Sequence, residues 1–191
     1  RIVVITPEEI PALAQQAIQL REDYLDAGLK NEDDPNRRPI LIYKIGEIYL
    51  DYLQFDEARK RFITLIDSHP KSSVALAAAQ ALISTYNREE RWGEMAKWAD
   101  KIAQAGLGDE AVRIATKWKV GALFKKADVL FQKKKYAEAA SEYISLVDQD
   151  TKMEDAPSAL NNAAVAFERA RMFDSATRTY ERIFNQYPNS S

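Results

Sequence analysis

Residues 39–70, PILIYKIGEIYLDYLQFDEARKRFITLIDSHP, carry a spacing that returns three more times along the chain. The aromatic Phe55 recurs as Trp92, Tyr136 and Phe173, at intervals of 37, 44 and 37 residues. Three residues after each stands Ala58, Met95, Ala139 or Ala176, then Phe62, Ala99, Tyr143 or Tyr180, then Leu65, Ile102, Leu146 or Ile183. Upstream, Tyr49, Tyr86, Leu130 and Phe167 keep the same register, and before them Gly46, Ile83, Ala127 and Ala164 are small or moderate residues where two helices must approach. A period of this length belongs to helix pairs that cannot bury an apolar face alone and therefore stack. The pattern predicts an all-α solenoid of antiparallel helix pairs, about four repeats preceded by an N-terminal helix.

Helix boundaries follow from apolar periodicity and from the residues that stop it. Pairs are expected over 39–53 and 56–68, 72–88 and 92–104, 109–134 and 137–149, and 156–171 and 174–187, giving repeats of about 39–71, 72–106, 107–152 and 153–191. Each internal turn is only a few residues long, which makes the two helices of a pair antiparallel. An aromatic beside each turn is expected to plug the end of its pair. Residues 1–38 form a separate N-terminal region of extended segment, helix and loop. There Thr6-Pro7-Glu8-Glu9 has the form of a capping box, which predicts a helix from that point to Gly28, with Pro11 near its start. The seven extra residues between the second and third copies fall around Ala105-Gly106-Leu107-Gly108-Asp109, where a break in the stacking is expected. The chain opens on Arg1 rather than methionine, so a piece of a longer protein is expected, and Tyr187-Pro188-Asn189 stands where a further repeat would begin.

Composition removes several classes of function. With 46% hydrophobic and 29% charged residues the chain has the balance of a folded domain. A formal net charge of −2 gives no long-range field toward nucleic acid or anionic lipid. There is no cysteine and one histidine, so disulfides and imidazole or thiolate metal sites cannot be assembled; absence of cysteine also fits an oxidising compartment. No stretch approaches the ~20 apolar residues of a membrane span. No cofactor is expected.

The repeat resembles the tetratricopeptide repeat. In the first copy Ile42, Ile45-Gly46, Tyr49, Ala58, Phe62, Leu65 and Pro70 match that family's spacing, and in the fourth so do Leu160, Ala163-Ala164, Phe167, Ala176, Tyr180, Ile183 and Pro188. The second departs at Met95 and Ala99, where Trp98 is placed to supply bulk, and the third at Lys126. The resemblance spans about residues 39–190 and implies a right-handed superhelix that serves as a non-catalytic scaffold for a protein or peptide partner. The 37-residue spacing, with His69-Pro70-Lys71-Ser72 and Tyr187-Pro188-Asn189-Ser190 at repeat boundaries, is similar to the subgroup found in bacterial envelope proteins such as outer-membrane assembly lipoproteins and the Tol-Pal coordinator. It implies a periplasmic or outer-membrane-associated setting, with a cytoplasmic one as the alternative.

In that architecture the first helix of each pair lines the concave face. The residues so placed are Tyr43 and Glu47, with Ile40, Leu50 and Asp51; Gln80, Ser84 and Asn87, with Arg88; Phe124 and Asp128, with Phe131 and Gln132; and Asn161 and Glu168, with Val165 and Arg169. Apolar side chains there supply burial and amides and carboxylates fix register, which suits an extended peptide or a partner helix. Phe124 and Phe131 could equally pack on a neighbouring helix. The family's lysine and asparagine clamp for a chaperone's terminal carboxylate is nearly absent, since Tyr43, Glu47, Ala81 and Gly121 stand in its places and only Lys125 fits.

Three sharper possibilities are weaker. Asp67-Ser68-His69 holds the residue types of a triad, but adjacency in sequence does not align nucleophile, base and orienter. Lys117-Trp118-Lys119, Lys125-Lys126 and Lys133-Lys134-Lys135 could bind a polyanion, although lysines solvated beside an acidic helix are the commoner cause. Glu32-Asp33-Asp34 and Asp109-Glu110 lack the spacing of a calcium loop. Self-association through the final repeat, whose outer face would be partly bare, is the alternative among binding functions.

Overall fold

Each helix pair closes through one backbone solution. Leu53, Glu90, Lys134 and Arg171 lie in the left-handed region, with φ of 57°, 54°, 59° and 60°. Their successors Gln54, Arg91, Lys135 and Met172 donate backbone N–H bonds of 2.8–2.9 Å back to the carbonyls of Tyr49, Tyr86, Leu130 and Phe167. That arrangement satisfies the last carbonyls of the first helix, which would otherwise lack partners. The carbonyls of the same four residues then accept from Ala58, Met95, Ala139 and Ala176 at 2.9–3.0 Å, opening the second helix.

The computed structural model describes residues 5–28 and 34–188. Among the described residues it contains nine helices and no strand: α1 (Ala12–Asp26), α2 (Arg37–Asp51), α3 (Phe55–Ser68), α4 (Ala75–Arg88), α5 (Trp92–Gln104), α6 (Asp109–Gln132), α7 (Tyr136–Gln149), α8 (Ala156–Arg169) and α9 (Phe173–Gln186). The all-α solenoid class of helix pairs expected from the spacing is what is found. Two compact units divide inside α6, one ending at Trp118 and the other beginning at Lys119. Lys119 occupies the register position that opens α4 at Ala75, so the extra residues of the third copy are spent on Asp109–Trp118, a helical lead-in with Ala111 and Ala115 buried. The expected extended start at residues 1–5, the loop acids Glu32-Asp33 and the terminal Asn189–Ser191 lie wholly or mostly outside the described residues.

In the first unit, the Thr6 capping box does not start a helix. α1 begins at Ala12, after Pro11, because a proline disfavours helical geometry in the residue before it. Residues 6–11 instead run across the end of the α2–α3 pair: Glu8 donates its backbone N–H to the Tyr52 carbonyl at 2.9 Å, and the Gln54 amide donates to the Glu8 carbonyl at 3.0 Å. Ile10 is buried beside Ile18 and Ile45. Gly28, as expected, stands just past the helix with φ +58°.

Gly46 explains the closeness of α2 and α3. A Cβ at Gly46 would lie 2.6 Å from the ring of Phe62, which is fully buried. The second copy reverses the sizes, with Ile83 and Ala99 at the same two positions, both buried. The departure at Ala99 is thus balanced across the pair. Trp98, expected to supply bulk there, is half-buried.

Arg59 ties α3 to α4. Its buried guanidinium donates to Glu89 and Asp56 at 2.6 Å each and to Thr85 at 3.3 Å, and lies 4.9 Å from the centre of the Tyr86 ring. A buried charge requires such partners.

The second unit packs the rest of α6 and α7–α9 around alanine. Ala127, Ala139, Ala140, Ala163 and Ala166 surround the ring of Tyr143, and Ala156, Ala159 and Leu160 of α8 receive Leu146 and Val147 of α7. Small residues on the first helix let the larger side chains of the preceding second helix sink between them, at about 25 cal/mol per Å² of apolar surface buried.

Candidate partner-binding surface

The residues expected on the binding face fall four in the second unit and five in the first. In the first unit, α2 carries Tyr43 and Glu47. The Tyr43 ring packs tilted on Phe62 with centroids 5.8 Å apart. Burial, then the Glu47 carboxylate, pushes the Tyr43 phenol above its ordinary pKa. Glu47 also receives Lys44 at 2.6 Å. On α4, Gln80 and Asn87 are exposed, whereas Ser84 turns its hydroxyl to the Ala81 carbonyl at 2.8 Å. Arg88, at the end of α4, lies 5.9 Å from the Phe55 ring.

In the second unit, Phe124 and Asp128 come from α6 and Asn161 and Glu168 from α8. Phe124 packs into both alanine clusters, with its ring tilted against Tyr143 at 5.8 Å. Asp128 accepts a hydrogen bond from the Tyr143 hydroxyl. Burial, then the Asp128 carboxylate, drives the Tyr143 phenol far above its usual value, opposed by the neighbouring Asn162 amide. These groups border an open cleft of about 240 Å³ lined by Asp128, Phe131, Gln132, Tyr143, Asn162 and Val165. Sequence placed Asp128, Phe131, Gln132 and Val165 on this face and missed Tyr143 and Asn162. The available signal was a tyrosine at a buried aromatic position, whose hydroxyl needs a partner that Phe62 does not. The fourth copy repeats the pattern: Tyr180 reaches Glu168, and burial with that carboxylate raises its pKa. Asn161 is exposed.

The weaker possibilities gain no geometry. Among the described residues, no side-chain hydrogen bond joins His69 to Asp67 or Ser68, and no group of histidines and acids is placed to hold a metal ion. Lys126 pairs with Glu142 at 2.6 Å and Lys135 with Glu138 at 3.0 Å, which neutralises part of the basic cluster. No described helix is long and apolar enough to cross a membrane.

Two segments of the chain, residues 41–72 and 159–190, carry the sequence signature of a known repeat family. Both match the tetratricopeptide repeat. The matched segments are the α2–α3 and α8–α9 pairs, while the two middle pairs, which lack the match, carry the departures at Met95, Ala99 and Lys126. Tetratricopeptide repeats generally mediate protein–protein interaction. Among solved structures, the TPR-like repeats of a Podosopora anserina protein described as a kinesin light chain are similar, at 14% identity and a TM-score of 0.37 over 91% of this chain and 86% of that one. MamA of AMB-1 is similar at 13% identity and a TM-score of 0.36 over 93% and 92%. No curated protein sequence matches this chain.

Proposed function

We propose that this chain is a non-catalytic scaffold whose first helices bind an extended peptide or a partner helix. The observation that carries it is the division of labour within each unit. Second helices bury Ala58, Phe62 and Leu65, or Ala139, Tyr143 and Leu146, as core, whereas first helices leave Gln80, Asn87, Asn161 and Glu168 in solvent and hold the aromatics Tyr43, Phe124 and Phe167 half-buried. Amides that packing does not use can hydrogen-bond a partner's backbone, and the aromatics beside them supply apolar contact. The 37-residue spacing supports a bacterial envelope setting for that partner.

Photo-cross-linking residues placed one at a time at Gln80, Asn87 and Asn161, and for comparison at Lys60 and Ser141 on exposed sides of second helices, test the surface in the host cell. Cross-links to one discrete protein from the first-helix positions only are expected. Equal labelling from both sets, or labelling from Lys60 and Ser141 alone, overturns the assignment.

A second proposal rests on the bare face of α9. Phe173, Tyr180 and Phe184 are 63%, 37% and 77% exposed, whereas their counterparts Phe55, Phe62 and Ile66 are 4%, 0% and 2% exposed. Covering such a face with a second copy of the chain would make the molecule self-associate.

A further inference from the structure

The cleft of the second unit holds an acid without a cation. Asp128 lines it, yet among the described residues no lysine or arginine pairs with its carboxylate. Lys125, one turn earlier on α6, makes no ion pair with it, Lys126 is engaged by Glu142, and Arg169 of α8 does not line the cleft. What Asp128 does have is a neutral partner: the Tyr143 hydroxyl donates to its carboxylate. That bond fixes the carboxylate while leaving its charge uncompensated. A larger cleft, about 420 Å³ in the first unit, shows the contrast. There Arg61 is paired with Glu22, and Arg38 donates to the Leu25 carbonyl at 2.8 Å, so its cations are already engaged from within the chain.

The apolar wall decides which cation fits. Phe131 lines the cleft and is braced edge-on by Tyr136 at 5.0 Å, and Val165 borders the same space. An aromatic ring beside an anchored carboxylate suits a planar, weakly hydrated guanidinium, which can stack on the ring while donating to the carboxylate, and the side-chain carbonyls of Gln132 and Asn162 add acceptors for its remaining N–H groups. A lysine ammonium, more strongly hydrated and without a flat face, gains less in such a place.

We infer that the cleft between α6, α7 and α8 is a receptor for an arginine side chain of the partner, held by Asp128 and stacked against Phe131. This deepens the scaffold proposal and rests on it only for the identity of the arginine's bearer.

N-acetyl-arginine amide titrated into the whole ¹⁵N-labelled chain tests it, with N-acetyl-citrulline amide, uncharged and nearly the same shape, as the comparison. Saturable shifts at Asp128, Phe131, Gln132 and Asn162 with the arginine compound, and at least about tenfold weaker binding of the citrulline compound, are expected. Asp128→Asn keeps an acceptor for Tyr143 and is expected to weaken arginine binding by about tenfold with an unchanged melting temperature, while Phe131→Leu weakens it by a smaller factor. Equal shifts from the two compounds, shifts centred outside the cleft, or Asp128→Asn binding like the parent each overturn the inference. The comparison of ligands on the parent chain stands even if a variant folds poorly. A chain that cross-links its partner from Asn161 yet ignores arginine retains the scaffold and loses the receptor, and the reverse result separates them the other way.

Discussion

Two glycines in helices give opposite predictions. In a helix interior, alanine is more favourable than glycine by about 0.8–1 kcal/mol. At Gly121 of α6 nothing lies within 4 Å of an added Cβ, so Gly121→Ala is expected to stabilise by about that amount. At Gly46 the same methyl meets the Phe62 ring at 2.6 Å. That ring is fully buried and has nowhere to retreat, so overpacking of about 1–3 kcal/mol exceeds the propensity gain, and Gly46→Ala is expected to lower stability in a urea melt. A hydroxyl allows a third test at this scale. The Tyr143 phenol is raised in the folded chain, so its contribution is fully present below its unfolded pKa, about 10, and is lost as pH rises beyond that toward the folded value. Tyr143→Phe is therefore expected to reduce the fall in stability between about pH 10 and pH 12. An equally steep fall in the variant would show that other groups control alkaline unfolding.

At the scale of elements, helix existence was legible because apolar residues at three and four spacing mark a face wherever it is buried. Most predicted ends agree with α2–α9 to within about two residues, and the exception, α4 starting at Ala75 rather than residue 72, follows a turn in which Ser72 and Ala75 donate to the carbonyls of His69 and Ser72. The turns inside pairs were legible in length but not in geometry, because left-handed residues are usually announced by glycine and here are leucine, glutamate, lysine and arginine. For a non-glycine residue that conformation costs about 1–2 kcal/mol. Lys134 is exposed, so Lys134→Gly removes the cost without losing packing. After glycine's greater freedom in the unfolded chain is subtracted, a gain of up to about 1 kcal/mol is expected from thermal unfolding. The Arg59 link was not legible, since an arginine beside Ala58 reads as solvated until the α4 C-terminus supplies Glu89. Arg59→Ala strips the partner from Glu89 and exposes apolar surface of Tyr86, with an expected loss of about 2–4 kcal/mol in chemical denaturation. The candidate site was half legible for a related reason: face residues follow from register, whereas the contact from Tyr143 to Asp128 joins one residue assigned to the core with one assigned to the surface.

At the scale of the whole molecule, the self-association proposal turns on two exposed apolar surfaces, one on α1 and one on α9. α1 exposes Leu13 and Leu20, 79% and 70% accessible, on a segment over residues 5–28 with five acids, Glu8, Glu9, Glu22, Asp23 and Asp26, against the single base Arg21. The α9 face, with Phe173 and Phe184, is flanked over residues 169–187 by four arginines, Arg169, Arg171, Arg178 and Arg182, against Asp174 and Glu181. Opposite charge around two apolar patches favours α1 of one copy on α9 of the next over either patch on itself, a heterologous contact that continues from copy to copy. Sedimentation velocity over a concentration series is then expected to show mass rising past the dimer, more strongly at low salt. Leu20→Lys and Phe184→Glu each spoil one end and are expected to be monomeric alone. Mixed, they retain one intact α9 and one intact α1 between them and should form a one-to-one dimer that grows no further. A Leu20→Lys variant that dimerises by itself would mean that α9 faces meet each other, and a parent chain that stays monomeric throughout the series would remove self-association altogether, leaving the α9 face to a different partner.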